Sequence, residues 1–120
     1  MCIRDRNKLT QALKWLEAFN DKDVPAIMHF YSESIAHTSP KIANYYTLEN
    51  NTIKGKALLE DYFTQAMKNN PNLHFDLLQI LEGENRVVLL YKRIATHLAG
   101  EFLEFDETGL IVKSCSPYNK

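Results

Sequence analysis

The stretch LHFDLLQILEGENRVVLLYKRIATHLAGEFLEFDETGLIVKSCS, residues 73–116, decides the fold. It reads as four strands in a meander, over 73–81, 86 to about 96, 98–105 and 110–116. Glu82-Gly83-Glu84-Asn85 and Asp106-Glu107-Thr108-Gly109 are the turn segments, rich in the residues that tolerate tight backbone geometry. Strands this close in sequence and joined by such short turns pair antiparallel.

Upstream of the meander the apolar spacing changes from two to about 3.6. Leu9, Ala12, Leu13, Leu16 and Phe19 recur at helical spacing with Trp15 widening the stripe, which predicts a first helix of roughly four turns. Asp23 is a good N-cap for a short second helix with Pro25 in its first turn and Ala26, Ile27, Phe30 and Tyr31 as its apolar face. Ile35-Ala36-His37-Thr38-Ser39 reads as a short strand closed by Pro40, and residues 41–54 as a loop or weak strand. A third helix follows Gly55, with Leu58, Leu59, Tyr62, Phe63, Ala66 and Met67 apolar, and stops at Asn69-Asn70-Pro71 because proline forces its predecessor out of the helical region. Helices first and antiparallel strands afterwards predict an α+β fold, with the three helices on one face of the sheet.

Composition bounds the function. The chain has 120 residues, 45% hydrophobic and 24% charged, with 14 Lys and Arg against 15 Asp and Glu for a net charge of −1. That suits one domain, expected over 7–120, large enough to bury roughly two-thirds of its unfolded surface. A near-neutral balance with no Lys/Arg run argues against a nucleic-acid partner. Val87-Val88-Leu89-Leu90-Tyr91, among the longest apolar runs, is strand-sized, which argues against a membrane span. Two cysteines, Cys2 and Cys115, make no disulfide framework, so the expected setting is a reducing cytoplasm. Met1-Cys2-Ile3-Arg4-Asp5-Arg6 has no signal-peptide character and resembles translated sequencing-adapter read-through, a non-native extension set aside here. Six Tyr, six Phe and one Trp point to a lined pocket or a flat partner surface.

The order of elements, with Phe19-Asn20-Asp21-Lys22-Asp23-Val24, Lys54-Gly55-Lys56-Ala57-Leu58 and Glu101-Phe102-Leu103-Glu104-Phe105-Asp106 as its markers, resembles the nuclear transport factor 2-like superfamily and its SnoaL-like branch over residues 8–118. The resemblance implies a cone-shaped domain, three helices packed on a strongly curved antiparallel or mixed sheet, with a pocket between them and a homodimer through the outer sheet face. It also permits a test of roles. Steroid-isomerase relatives place a carboxylate base before the proline that ends the first strand, where Ser39 stands here, and a Tyr donor where Trp15 stands. Their protonated carboxylic acid corresponds to Glu101. Epoxide-hydrolase relatives need acids around an Arg; the strand with Arg93 has none nearby, and Ser114 and Ser116 occupy the last-strand positions. For the dehydratase pattern, His37, His97, Tyr31 and Tyr62 match by residue type only.

His37 shares a strand face with Ile35 and Ser39, and Glu101 with Leu103 and Phe105. His37 is a candidate general base and Glu101 a candidate acid or oxyanion donor; the plainer readings are a cavity-lining histidine and a salt bridge from Glu101 to Arg93 or Lys92. Which of Lys92 and Arg93 faces inward is left open, and an inward Arg93 would favour an anionic ligand. Trp15, Phe19, Tyr31, Ile35, Ser39, Tyr62, Phe63 and Arg93 are the candidate ligand-binding residues, although core packing is the plainer role for Tyr62 and Phe63. Tyr45, Tyr46, Tyr62 and Tyr91 are possible rim hydroxyls, and Tyr118 a possible closure. No phosphate-cradling loop, paired histidines at zinc spacing or Cys-x-x-Cys occurs, so neither a cofactor nor a metal is expected. Three functions follow: a pocket for a small, largely hydrophobic ligand, a proton-transfer isomerase, cyclase or dehydratase on a hydrophobic carbonyl compound, or a non-catalytic dimeric interaction module.

Overall fold

A computed structural model describes residues 8–94 and 97–117, with the side chains at 93, 94 and 97 outside that description. Three helices, α1 (Lys8–Asn20), α2 (Val24–Met28) and α3 (Lys56–Asn69), accompany six strands, β1 (Tyr31–Thr38), β2 (Thr52–Lys54), β3 (Asp76–Glu82), β4 (Arg86–Ile94), β5 (His97–Phe105) and β6 (Ile111–Cys115). The strands form one sheet in the order β2-β1-β6-β5-β4-β3. β1 and β6 run parallel, and every other neighbouring pair is antiparallel. The expected α+β architecture, with a mixed sheet, is the observed one. No helix among the described residues is long and apolar enough to cross a membrane.

Helix α1 buries Ala12, Trp15, Leu16, Ala18 and Phe19, while Leu9 and Leu13 remain partly in solvent. The stripe therefore centres on Trp15 rather than on the leucines. Leu13 lies about 100° around the axis from Ala12 and leaves the buried face. Asp23 caps α2 as expected, its side chain accepting from the Ala26 N–H at 3.2 Å, with Pro25 in the first turn. That helix ends before Tyr31, which opens β1 instead of closing the α2 face. The strand is longer than its apolar core suggested because Tyr31 already pairs with Ile111, with an irregularity between Tyr31 and Ala36 where Glu33 and Ser34 are exposed while Ser32 stays buried.

Residues 41–54, expected as a loop or weak strand, hold two 3₁₀ turns followed by a short strand. Ser39 caps a 3₁₀ helix at Pro40–Asn44, its hydroxyl accepting from the Lys41 N–H at 3.2 Å. A second 3₁₀ turn, Glu49–Asn51, has Asn50 and Asn51 in the left-handed region, which asparagine tolerates. It delivers β2 antiparallel to β1, with Thr38 opposite Thr52. The other departure is at 73–75, expected in strand but lying ahead of β3. There the Asn20 side chain takes both hydrogen bonds of Phe75, donating to its carbonyl at 3.1 Å and accepting from its N–H at 2.7 Å. Lys22 donates to the Leu73 carbonyl at 2.5 Å. The backbone is satisfied by α1 and its exit turn, so it has no need of a strand partner.

One face of the sheet holds the core. Val87, Leu89 and Tyr91 of β4, Ala99, Leu103 and Phe105 of β5 and Ile111 of β6 are buried with the inward faces of α1 and α3. Bulges between Leu77 and Gln79 and between Glu104 and Phe105 add local bend and twist to the strands. The other face carries Leu78, Leu81, Val88, Leu90 and Leu98, all exposed.

Candidate functional site

Three strands bring the polar residues of the interior together. His37 comes from β1, Glu101 from β5 and Ser114 from β6, and each is almost fully buried; Ser116, just beyond the end of β6, joins them. His37 and Ser114 are paired in the register of β1 with β6. His37 Nδ1 and Ser114 Oγ are hydrogen bonded at 2.6 Å. Ser116 Oγ donates to Glu101 Oε1 at 2.5 Å, and Tyr91 is a second hydrogen-bond partner of the same carboxyl. The other carboxyl oxygen, Oε2, lies 4.0 Å from His37 Nδ1. Serines two apart at the end of the sheet thus hold the histidine and the acid side by side.

Burial sets the protonation of both groups. It raises the Glu101 carboxyl from 4.5 to about 8, against the opposing hydrogen bonds from Ser116 and Tyr91. It lowers the His37 imidazole from 6.5 to about 4. At neutral pH the pair is a carboxylic acid beside a neutral imidazole, which avoids two charges in a dry interior. Tyr31, fully buried, has its phenol pushed up as well, first by burial and then by nearby Glu101.

A cavity of about 120 Å³ opens beside this pair, between the sheet and helices α1 and α3. Trp15, Phe19, His37, Tyr62, Phe63 and Glu101, all expected at the pocket, line it. Its aromatic wall is interlocked: Phe75 lies 4.3 Å from Tyr91 and 5.4 Å from Phe19, ring centre to ring centre, and Phe19 lies 5.0 Å from Phe63. Half-exposed or exposed Lys41, Asn44, Tyr45, Asn70 and Leu73 form its wetter part.

Several expected wall residues sit elsewhere. Tyr31 and Ile35 are buried behind the lining, the Tyr31 hydroxyl accepting from Trp15 Nε1–H at 2.9 Å. Ser39 spends its hydroxyl on the 3₁₀ cap and does not reach the cavity. Tyr46 bonds Asp61 and Gln65 away from the pocket. Lys92 is exposed on the outer face, so the salt bridge from Glu101 to Lys92 does not form; the carboxyl is held by Ser116 and Tyr91 instead. The side chains of Arg93 and His97, and residue Tyr118, lie outside the described residues. Sequence reasoning missed Ser114 and Ser116 as partners, seeing them only as places where an acid was wanting, and missed Phe75 as a wall. The alternation of two serines at the end of an apolar strand was the available signal. Among the described residues no group of three His, Cys, Asp or Glu could hold a metal ion.

With this geometry established, likeness to known proteins is informative. The SnoaL-like domain family matches residues 12–112. The chain belongs to the SnoaL-like family. This SnoaL-like domain is 26% identical to a SnoaL-like protein of unknown function from Burkholderia thailandensis, covering 94% of this chain and 95% of that one with a TM-score of 0.86. An NTF2-like protein of unknown function from Cytophaga hutchinsonii is 16% identical over 99% of this chain and 92% of its own, with a TM-score of 0.72. A protein of unknown function with a cystatin-like fold from Methylobium petroleophilum is 14% identical, with a TM-score of 0.77 over 97% of this chain and 78% of the other. These last two likenesses show the fold alone. No curated protein matches this SnoaL-like domain.

Proposed function

We propose that the domain binds a small, largely hydrophobic ligand in the cavity between helices and sheet. The observation that carries this is an aromatic cavity ending in a buried carboxyl and imidazole held 4.0 Å apart. A few convergent polar groups in an apolar hollow are the common form of a small-molecule site. Trp15, the single tryptophan, lines the cavity and reports on its contents. Titration with hydrophobic fragments is expected to change Trp15 fluorescence saturably and raise the melting temperature. A fragment set that does neither contradicts the reading.

A second reading, proton transfer on a hydrophobic carbonyl compound, is favoured by the same 4.0 Å separation. In the tautomer whose Nδ1–H is donated to Ser114, the lone pair of His37 Nε2 is the proton acceptor, and the neutral Glu101 carboxyl donates a hydrogen bond to the carbonyl oxygen. Deuterium uptake at the α-carbon of a bound ketone measures it, and His37→Ala and Glu101→Gln should each slow uptake by about 10²-fold. Unchanged uptake in both variants removes the mechanism.

The outer sheet face supports a homodimer. Leu81 and Val88 are cross-strand neighbours there, with Val88 opposite Phe102, and Leu78, Leu90 and Leu98 extend the apolar surface. Such a surface suits a second copy of the same face. A reducing, cytoplasmic setting belongs to the same proposal, supported by the free thiol of Cys115.

A further inference from the structure

Charge changes along the cavity, from a neutral polar pair at the bottom to a lysine at the mouth. Resting on the ligand-binding reading above, we propose that the cavity takes an amphipathic monocarboxylate, its apolar body among the inner rings and its carboxylate at the mouth on Lys41 and Asn44.

The mouth is built on a pinned turn. Lys41 and Asn44 both line the cavity and stand three residues apart in the 3₁₀ helix Pro40–Asn44. Three residues make one 3₁₀ turn, so the two side chains stack on the same side of it. The Ser39 hydroxyl fixes the start of the turn through the Lys41 N–H, and Ile42 anchors its middle with no exposure at all. At its exit the Tyr45 ring meets Tyr62 edge-on at 5.7 Å, and the Tyr45 hydroxyl accepts from Asn69 Nδ2 at 3.2 Å. Lys41 is half-buried, which makes a charge contact there stronger than one in open solvent. The opposite lip is the C-terminus of α3, whose carbonyls would repel an anion. Asn70 occupies them: its side chain donates to the Ala66 carbonyl at 2.7 Å and its N–H to that of Met67 at 3.3 Å.

Charge decides which end of a ligand goes where. Among the described residues lining the cavity, Lys41 alone is a lysine or arginine, and Glu101 is the only acid. His37, lowered to about 4, is neutral near pH 7 and brings no second cation. An anion at the bottom would enter a dry interior beside Glu101 with no counter-charge, and would be repelled outright were that carboxyl ionised. At the mouth the same anion meets an ammonium and an amide donor, with solvent at hand for its remaining lone pairs. One cation answers one negative charge, so a carboxylate fits this mouth better than a phosphate monoester, which carries roughly two. Between the two ends Trp15, Phe19, Phe63 and Phe75 form an apolar passage suited to an aryl or hydrocarbon body.

The probes are 4-phenylbutanoate and its neutral amide, 4-phenylbutanamide, read by Trp15 fluorescence and by competition in ligand-observed NMR. The wild type is expected to bind the acid about fivefold more tightly than the amide at low ionic strength. That ratio should shrink towards one in about 0.5 M sodium chloride, which screens a half-exposed ion pair. It should fall to about one in Lys41→Gln and persist in Lys41→Arg, which keeps the charge. Asn44→Asp, at an exposed position, should lower the ratio below that of the wild type by setting a carboxylate one turn from Lys41. A wild-type ratio at or below one, or a ratio unchanged in both Lys41→Gln and Asn44→Asp, overturns the assignment. If the amide alone binds, this inference fails while the ligand-binding reading stands. If neither compound binds, both fail.

Discussion

At the scale of the residue, Glu101 and His37 make opposite contributions to stability as pH changes. The folded protein keeps the Glu101 proton up to about pH 8, against 4.5 for an ordinary glutamate. Across that window the folded state holds a proton the unfolded chain has released, so stability falls as pH rises, by about 1.4 kcal/mol per pH unit at the steepest. His37 is lowered from 6.5 to about 4, so between those values the unfolded chain holds the extra proton and stability rises with pH. The two slopes oppose each other below pH 6.5, and Glu101 acts alone from there to 8. Urea denaturation should show that decline above pH 6.5 in the wild type and not in Glu101→Gln, while His37→Ala should decline across the whole range from 4.5. A wild-type profile parallel to Glu101→Gln above 6.5 contradicts the assignment. The sequence made these two residues visible because a polar side chain alternating with Ile35 or Leu103 on a strand face is anomalous. Their partners were not legible: Ser114 and Ser116 acquire meaning only from the β1–β6 and β5–β6 register, which no local pattern encodes.

Elements were legible where a local rule sufficed. Proline at 71 ends α3, Asp23 caps α2, and the meander follows from alternation and turn residues. Two segments escaped because side chains, rather than backbone, satisfy their hydrogen bonds. At residues 73–75 Asn20 and Lys22 take the place of a strand partner, and at 39–44 the Ser39 hydroxyl starts a 3₁₀ turn. Both segments border the cavity, through Leu73, Phe75 and Lys41. Asn20→Ala is expected to destabilise the protein by about 1–2 kcal/mol and to speed hydrogen exchange at the Phe75 amide far more than at Val87 in β4. Equal effects at both amides would mean that the clamp does not hold the segment locally.

For the whole molecule, the sheet divides the chemistry: an inward face with a polar pair beside a cavity, and an outward face of exposed leucines and Val88. If the outer face is the proposed dimer surface, sedimentation at tens of micromolar should give twice the 13.9 kDa chain mass, and Val88→Lys should return it to 13.9 kDa with stability changed by no more than about 0.5 kcal/mol. A wild-type monomer at that concentration contradicts it. Glu101 is the point at which the fold and the proposed ligand chemistry depend on each other, and its protonation can be read directly. In protein labelled with 13C at the glutamate Cδ, with Glu101→Gln assigning the resonance, the Glu101 signal is expected to titrate with a midpoint near pH 8. A midpoint near 4.5 would put a carboxylate, not a donor, at the end of the cavity and contradict the account.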